Sequence, residues 1–462
     1  MKRFILLYIM SFLVFCLFYS CGNKSKKIEE LKNVDRLLIL DFERQQDSQS
    51  FNIKGYTDHS IKKLSLDIAD VAKRISNIKV QSLEYSDQQK VEKLFKPQAL
   101  ATGKYKSYSD GRVEITLVFL DYKDKSILSR SQVSGNLHNI KKLKVDLSDA
   151  IIEAFGRKVN KKKQNTVVAG TTNNQAQIAY SLGVVSFFKY DETGLKNAIK
   201  YFKQAIKLDQ NYAQAYARLA ITYDFYGDFL EYAGKSPDKI YDNICPNAKK
   251  ALKLSPKLST AYRAMANCLN ISKKQNNEIM NKLNTAIKLD PLDGENYFAR
   301  ADLHEDNKDI VNALKDYKTA SNLSPMNHVI YLSWGFLLAN QKNYKEAIKK
   351  YKKVIEINPN YPYTYILWGL LLADQGNYKE AIKKIKKAID INSNDIIAYS
   401  IWGLLLFEQG NYKEAIKKSK KAIDINPNYA DAYDIWGGAL EAMGKPKKAK
   451  KKFKKAKQLR GK

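Results

Sequence analysis

The four tryptophans of this chain recur at one fixed interval, and that interval limits the fold more than any other feature of the sequence. Each tryptophan stands three positions after a tyrosine and directly before a glycine, and successive copies are 34 residues apart. A strict period of this length indicates short units that stack on their neighbours, because a unit of this size cannot bury its own apolar face. The tryptophans are Trp334, Trp368, Trp402 and Trp436.

The second half of each unit repeats as well. In one unit Gly410 introduces a lysine-rich amphipathic run that closes at Asn426–Pro427. We expect Gly376 and Gly410 to end the first helices of their units in the left-handed conformation. The Asn–Pro pair stops the second helix, because the residue before a proline disfavours helical geometry. A small residue such as Gly369 allows the two helices of a unit to approach closely.

These residues identify the region 175–462 as similar to the tetratricopeptide repeat (TPR) family. Small–large–small triplets such as Ala313–Tyr317–Ala320 mark eight second helices, and the second unit carries an insertion around Asp228 to Ile244. The resemblance implies eight helix–turn–helix repeats in an all-α solenoid. It also implies a right-handed superhelix, whose first helices line a concave groove.

The last unit differs from its neighbours at two positions that should face a following repeat. The seventh unit carries Ile416 and Ile423 there, whereas the eighth carries Lys450 and Lys457. A terminal repeat requires a polar outer face, so the sequence predicts a solubilising cap. A basic helix over 447–457 that binds anionic lipid or phosphate polymers stays open as a second interpretation.

The chain begins with a short basic segment, an apolar run from Phe4 to Tyr19, and the pair Ser20–Cys21. This order predicts a signal peptide over residues 1–20. Its end resembles the lipobox of bacterial lipoproteins, which implies that Cys21 becomes the lipidated mature N-terminus. Residues 21–33 are then a polar tether. The protein would be a membrane-anchored lipoprotein of the bacterial cell envelope, facing the periplasm or the exterior. An uncleaved signal anchor is the alternative, since the apolar run lies at the short limit for a bilayer span.

The region 34–159 has the patterning of a separate α/β unit. Short apolar or alternating segments predict strands over 36–42, 78–83, 101–108, 113–119 and 127–133, with a hairpin turn at Asp110–Gly111. Amphipathic segments predict helices over about 57–75, 88–95 and 143–155. Residues 160–174 are basic and then small and polar, which is typical of a linker.

The order of these elements resembles the TolB amino-terminal-like periplasmic domain, which is related to FlgO and CsgG-like sheets. The resemblance is carried by Leu38–Phe42, Ala101–Tyr105 and Val113–Leu117. The predicted fold class is therefore α+β: a small α/β sandwich domain followed by the TPR solenoid. The resemblance implies no specific activity for this domain.

Motifs for catalysis or cofactor binding are absent from the sequence, so we expect no enzyme, no cofactor and no metal. His304, with Asp302, Glu305 and Asp306, forms the most concentrated cluster of candidate ligands. Three acids on one helix favour a solvated or partner-facing patch over a metal site. Cys245 and Cys268 are expected to be small buried thiols, with a disulfide between them as the alternative.

The formal net charge of +31 comes mostly from lysine. Scarce arginine disfavours a nucleic-acid partner, because base and phosphate recognition relies on the arginine fork. Lysines of the second helices, such as Lys383, Lys384, Lys417 and Lys418, are therefore expected to be solvated.

The family resemblance also places a set of apolar side chains, here called the groove strip, on the concave face of repeats five to seven. Aliphatic and aromatic residues there favour an amphipathic helix or an extended apolar peptide as the partner. Packing of the strip residues among themselves is the alternative. The groove strip consists of Val329, Leu332, Phe336, Tyr363, Ile366, Leu370, Ile397, Leu404 and Phe407.

The preferred function is a non-enzymatic envelope scaffold that binds a protein partner through the groove strip. One alternative is a basic protein that binds anionic lipid or polysaccharide at the envelope surface. Another is a ligand-sensing accessory subunit of an envelope complex, with the α/β domain as the sensor.

Overall fold

A computed structural model describes residues 36–44, 79–82, 97–124, 127–136, 140–154, 170–171 and 173–460. The predicted signal peptide, the lipidated Cys21 and the tether lie outside these residues. So do the helices predicted over 57–75 and 88–95 and most of the predicted linker. No helix within the described ranges is both long and apolar enough to cross a membrane.

The N-terminal region contains a five-stranded mixed sheet in the order β2-β1-β3-β4-β5. The inner strand β1 pairs in parallel with β2 and β3, whereas β3, β4 and β5 form an antiparallel meander. Short apolar or alternating segments of the sequence predicted all five strands. Their bounds are Arg36–Arg44 for β1, Lys79–Ser82 for β2, Ala99–Ser107 for β3, Arg112–Asp121 for β4 and Ile127–Asn136 for β5.

Helix α1 (Ile140–Ala154) packs beside this sheet because both elements present an apolar face. Leu143, Leu147 and Ile151 of α1 are buried, as are the alternate residues of β4 from Val113 to Phe119. The turn between β3 and β4 uses Gly111 with φ at +84°, a conformation that glycine adopts without a steric penalty. The predicted hairpin is therefore confirmed.

Helices fill the chain from 173 to 460, which the structure describes without a gap, and they form eight pairs. The second pair contains an additional short helix, α5, in the predicted insertion. The helices are α2 (Asn174–Phe187), α3 (Glu192–Leu208), α4 (Ala213–Tyr232), α5 (Asp238–Tyr241), α6 (Ile244–Leu254), α7 (Ser259–Ile271), α8 (Asn276–Leu289), α9 (Gly294–Asp306), α10 (Ile310–Leu323), α11 (His328–Asn340), α12 (Tyr344–Ile357), α13 (Pro362–Asp374), α14 (Tyr378–Ile391), α15 (Ile396–Glu408), α16 (Tyr412–Ile425), α17 (Ala430–Ala442) and α18 (Pro446–Arg460).

Close packing within each later pair depends on the glycine that follows the tryptophan. A β-carbon built at Gly369 of α13 would lie 2.8 Å from the Ile385 Cδ1 atom of α14. A larger residue there would require the Ile385 side chain to shift, so glycine permits the close approach of the two helices. Gly376 and Gly410 have φ angles of +76° and +73°, which confirms the predicted left-handed ends of the first helices.

The C-terminal helix has the polar outer face that a terminal repeat requires. Ile416 and Ile423 are half-buried in α16, whereas Lys450 and Lys457 of α18 are exposed. Ile416 packs against a buried cluster that includes Ala439 of the following repeat. Lys450 and Lys457 thus give α18 a polar face at the positions where α16 has isoleucine.

The chain divides into two compact units. The first comprises 1–219, 247–265 and 284–293, and contains the sheet and the first helical pair. The second comprises 220–246, 266–283 and 294–462, and contains the last five pairs with the C-terminal part of α4. The contacts of Tyr232, Asp395 and the four tryptophans lie within the second unit.

Candidate partner-binding groove

The nine residues of the groove strip lie on three first helices, α11, α13 and α15, and their exposure differs. Phe336 and Leu404 are exposed, with 42% and 38% of their surface accessible. Tyr363, Leu370, Ile397 and Phe407 are half-buried, and Val329, Leu332 and Ile366 are buried. The three buried side chains are packing residues in this structure, so a partner can reach only the other six.

Phe336, Leu370 and Leu404 occupy the same position in three successive repeats, 34 residues apart. The outer two are exposed and the middle one is half-buried. Exposed large apolar side chains at equivalent positions form a repeated feature rather than scattered surface residues. Such a feature is typical of a binding surface.

The C-terminal end of α4 lies against the middle of the groove strip. The ring of Tyr232 is 4.9 Å from the ring of Tyr363, centroid to centroid, in an edge-on arrangement. Tyr232 packs on the same buried cluster as Leu370 and Ile397, a cluster to which Ile366 belongs. The chain therefore covers part of its own predicted binding surface.

Polar contacts hold the same segment at the start of α15. The Tyr232 hydroxyl lies 3.4 Å from each carboxylate oxygen of Asp395, to which it donates. Asp395 also caps α15, because its Oδ1 atom accepts a 2.9 Å hydrogen bond from the Ala398 amide. Two residues beyond Tyr232, the Gly234 carbonyl accepts a 3.4 Å hydrogen bond from the Asn426 side chain.

Burial determines the electrostatics of this contact. It raises the pKa of the Asp395 carboxyl above its usual range, although the Ala398 amide and the Tyr232 hydroxyl act in the opposite direction. Burial and the nearby Asp395 together raise the pKa of the Tyr232 phenol. The phenol is therefore neutral at physiological pH and acts as a donor.

Helix α4 reaches the strip because it is longer than the other first helices. It has 20 residues, whereas the first helices of the six following repeats have 13. It ends at Gly234, whose φ is +65°, with hydrogen bonds from the Gly234 amide to Glu231 and from the Lys235 amide to Leu230. These bonds define a Schellman motif, which satisfies the last carbonyls of the helix.

The insertion also packs against the C-terminal part of α4. A β-carbon at Gly227 would overlap the Tyr241 ring, so glycine lets that ring lie directly on the helix backbone. The Tyr241 hydroxyl donates a 3.0 Å hydrogen bond to Asp228. The short helix α5 thus supports the segment that leads to Tyr232.

Three carboxylates from α4 and α9 lie close enough to influence one another. Asp224 and Asp302 are half-buried, and Asp228 is exposed. Loss of hydration raises the pKa of Asp302 to about 7, and it raises the pKa of Asp224 as well. The Tyr317 hydroxyl lies 2.7 Å from Asp302 and 2.8 Å from Glu305, and its single hydrogen can be donated to either carboxylate.

This arrangement corrects the sequence-based view of the His304 cluster. His304 does not join Asp302, because its Nδ1 atom lies 3.1 Å from Asp309 instead. Asp302 is half-buried beside Tyr317 rather than part of a solvated patch. Among the residues that the structure describes, no group of histidine, cysteine and acidic side chains could hold a metal ion.

The tryptophans carry a second repeated arrangement that the sequence reading missed. In each of the last four repeats, the ammonium group of a lysine 16 positions later lies over the indole ring. Two of these lysines, Lys384 and Lys418, were expected to be solvated, and that expectation is wrong. The separations from lysine Nζ to ring centre are 3.3 Å for Lys350–Trp334, 3.8 Å for Lys384–Trp368, 3.5 Å for Lys418–Trp402 and 3.3 Å for Lys452–Trp436.

Cys245 and Cys268 form a disulfide that joins α6 to α7. The default expectation of two separate thiols is therefore wrong, and the alternative is correct. The cross-link lies at the end of the insertion, because Cys245 is the second residue of α6. It limits how far the insertion can move away from α7.

The groove residues that sequence reasoning missed are Tyr232, Asp395 and Asn426. The repeat pattern describes contacts between neighbouring repeats, whereas Tyr232 and Asp395 are 163 positions apart. One signal was available in the insertion, whose extra length has no counterpart in the other repeats. The extended end of α4 reaches beyond its own repeat, so it is available to contact another repeat.

The fold and this surface define a class of protein: a solenoid of helical hairpins with an apolar strip on its first helices. Family models for tetratricopeptide repeats match residues 195–212 and 403–444. A third model, for the anaphase-promoting complex, cyclosome, subunit 3, matches residues 340–422. The helical region of this chain is a tetratricopeptide-repeat array.

Solved structures with similar arrays include three that differ in how much of the chain they cover. Yeast Tom70 is 20% identical with a TM-score of 0.45, over 63% of this chain and 62% of its own. MamA is 26% identical with a TM-score of 0.31, over 36% of this chain and 91% of its own. YrrB, described as a TPR protein with an unusual peptide-binding site, is 23% identical with a TM-score of 0.31, over 38% and 91%. No curated protein sequence matches the chain.

Proposed function

We propose that this protein is a non-enzymatic, membrane-anchored scaffold of the bacterial cell envelope that binds a protein partner through the groove strip. The observation that carries the proposal is the exposure of Phe336 and Leu404 at equivalent positions of the fifth and seventh repeats. A peptide that spans both positions would bury two large apolar side chains. Because about 60% of each side chain is already covered, burial of the remainder would contribute about 1 kcal/mol per residue.

An amphipathic helix suits this surface better than an extended strand. The strip lies on parallel rows of helices, and its main-chain groups are satisfied within those helices, so they cannot extend a sheet. Asp395 and the Asn426 side chain provide polar groups beside the apolar strip. A helix with one apolar face, and with both a donor for Asp395 and an acceptor for Asn426 near its end, would match this surface.

Charge substitution at the two exposed positions tests the proposed binding site. We expect Phe336→Glu combined with Leu404→Glu to weaken capture of the partner by at least about tenfold, since a buried charge lacks a counterion there. Partners are to be cross-linked in intact cells, identified by mass spectrometry, and titrated against purified full-length protein. Because both side chains are exposed, the melting temperature should change little.

Val311 provides a matched control. It is an apolar residue with 78% of its surface accessible, and it lies on α10 away from the groove strip. Val311→Glu should leave capture unchanged. The proposed site would be contradicted if the variant with Phe336→Glu and Leu404→Glu captured the partner as well as the Val311→Glu variant does.

Two features support the envelope location and the lipid anchor. The basic–apolar–Ser20–Cys21 order fits a lipoprotein precursor. The disulfide between Cys245 and Cys268 fits an oxidising compartment. In the source bacterium, Cys21→Ala should abolish incorporation of labelled fatty acid and release the protein from the membrane fraction. Unchanged membrane retention with an uncut N-terminus would favour the signal anchor.

The N-terminal domain is proposed to be of the TolB amino-terminal-like type. Its five-stranded sheet with parallel β1 and an antiparallel meander supports this assignment, as does α1 beside the sheet. We assign the domain no catalytic role. A screen of small ligands by thermal shift on the full chain would reveal a sensing role, which is the third interpretation.

A second function is favoured by the lysines that remain exposed on the second helices. Lys383 and Lys417 have 76% and 73% of their side-chain surface accessible, and each has only a loose ion pair, to Glu380 and Glu414. Such rows would adhere to anionic lipid or polysaccharide. Lys383→Glu with Lys417→Glu should then reduce sedimentation with phosphatidylglycerol vesicles at low salt. Sedimentation unaffected by these changes would remove this function.

A further inference from the structure

We propose that residues 228–235 are a built-in occupant of the groove strip, and that the partner is a helix ending in a tyrosine that replaces them. The inference rests on the proposed groove function and adds the chemistry of the partner. It follows from the contacts that Tyr232 and Gly234 make with repeats six and seven. The occupant itself shows what the strip can hold.

The contacts of this segment are those that a docked helix would make. An aromatic ring covers Tyr363, a hydroxyl donates to Asp395, and the exposed carbonyl beyond the helix end accepts from Asn426. These three contacts combine apolar burial with two directional hydrogen bonds. A tyrosine supplies the first two with one side chain, at low entropic cost because it has only two rotatable bonds.

The acceptor for the hydroxyl is specific to one repeat. Asp395 begins the seventh repeat, and the equivalent positions of the fifth, sixth and eighth repeats hold Asn327, Tyr361 and Tyr429. All four residues are N-caps of their first helices, but of these only Asp395 carries a carboxylate. The seventh repeat therefore fixes where a tyrosine-bearing helix end would lie.

The occupant covers only the middle of the strip. Tyr232 is half-buried, and Glu231, Gly234 and Lys235 around it are exposed. Phe336 stays accessible on α11, and Leu404 on α15. An incoming helix can thus make its first apolar contacts with these side chains and then displace Tyr232. Because the segment is tethered, it competes at an effective concentration in the millimolar range.

A peptide copied from the occupant tests this inference on the full-length protein. The probe is residues 222–236 as a fluorescent peptide, held helical by a side-chain bridge because an isolated helix of this length is marginal. We expect the Tyr232→Ala protein to bind it at least about tenfold more tightly than the unaltered protein, since its own occupant is weakened. Binding is measured by fluorescence anisotropy.

A matched protein variant and a matched probe distinguish release of the built-in occupant from a general destabilisation of the fold. Tyr232→Phe keeps the ring and removes only the hydroxyl, so its affinity for the probe should rise by about fivefold, the value of one hydrogen bond. A probe that carries alanine in place of its own tyrosine should bind the Tyr232→Ala protein at least about tenfold more weakly than the original probe. If Tyr232→Ala unfolds, the Tyr232→Phe result decides.

The inference is overturned if the unaltered and Tyr232→Phe proteins bind the probe equally, if no protein binds it, or if both probes bind alike. Failure of the proposed function has a different signature. In that case Phe336→Glu with Leu404→Glu leaves partner capture unchanged, whatever the probe does. A third outcome separates the two proposals. If Phe336→Glu with Leu404→Glu abolishes partner capture, Tyr232→Phe leaves it unchanged and the probe does not bind, the groove function stands and the built-in occupant is rejected.

Discussion

The ammonium nitrogen of Lys418 lies 3.5 Å from the centre of the Trp402 ring, and Lys386 of the preceding repeat lies 5.2 Å from the same centre. One indole is thus shared by lysines from two neighbouring second helices. Partial burial lowers the pKa of Lys418. The tryptophan row therefore helps to join successive repeats as well as the two helices of one repeat.

Neutralising the lysine in this contact should weaken the array. We expect Lys418→Met to lower the free energy of unfolding by about 0.5–2 kcal/mol, the range of partly desolvated cation–π contacts. Lys417 is the matched control, because its side chain is 73% exposed. Lys417→Met should change stability by less than about 0.5 kcal/mol. Urea unfolding followed by circular dichroism makes the comparison. Equal effects of Lys418→Met and Lys417→Met would mean that the contact between Lys418 and Trp402 does not stabilise the array.

Adjacent glycines in α17 should respond to alanine in opposite ways. A β-carbon at Gly437 would lie 2.6 Å from the Phe453 ring, whereas one at Gly438 would lie 3.4 Å from Phe407, an ordinary contact. Gly437→Ala should therefore destabilise the protein by about 1–3 kcal/mol through overpacking. Gly438→Ala should be neutral or stabilise by up to about 1 kcal/mol, because alanine favours the helix. Thermal melts of both variants decide, and a stabilising Gly437→Ala would refute this packing account.

The sequence predicted the parts of the fold in which one physical pattern repeats. Alternation along β4 placed Val113 and Phe119 in the core, and the 34-residue period located the eight helical pairs. Both patterns depend on contacts between residues close in sequence or in adjacent units. For the same reason the left-handed conformation of Gly376 follows from its position at the end of a first helix.

The groove could be predicted only in part. Position in the repeat located Phe336 and Leu404, but it could not show that Ile366 is buried, because the burial depends on the exact approach of several helices. The contact of Tyr232 with Asp395 was beyond the repeat pattern, since an insertion follows no period. Charge alone suggested that Lys418 is solvated, but its aliphatic stem lets it lie over an indole ring.

Removal of the disulfide should destabilise the second unit. Cys245 and Cys268 are 23 positions apart, and closing a loop of this size stabilises a fold by about 2–4 kcal/mol. The double variant Cys245→Ala with Cys268→Ala should therefore unfold at a lower urea concentration than the parent protein. Dithiothreitol should lower the midpoint of the parent but leave the double variant unchanged. A parent protein indifferent to the reductant would show that the bond is absent in solution.

Stability should fall as the pH rises towards neutrality, because of the carboxylates on α4 and α9. The pKa of Asp302 is raised to about 7 from an ordinary value of 3.8. Between these values the unfolded chain binds fewer protons than the folded one, so stability is fully present below about pH 4 and is lost as the pH rises through about 7. Asp302→Asn cannot ionise, so it should remove about 1–2 kcal/mol of the difference between pH 5 and pH 8, after allowance for the water that reaches this half-buried group. Urea midpoints of both proteins at the two pH values provide the measurement. An identical pH dependence would show that Asp302 titrates alike in the folded and unfolded states.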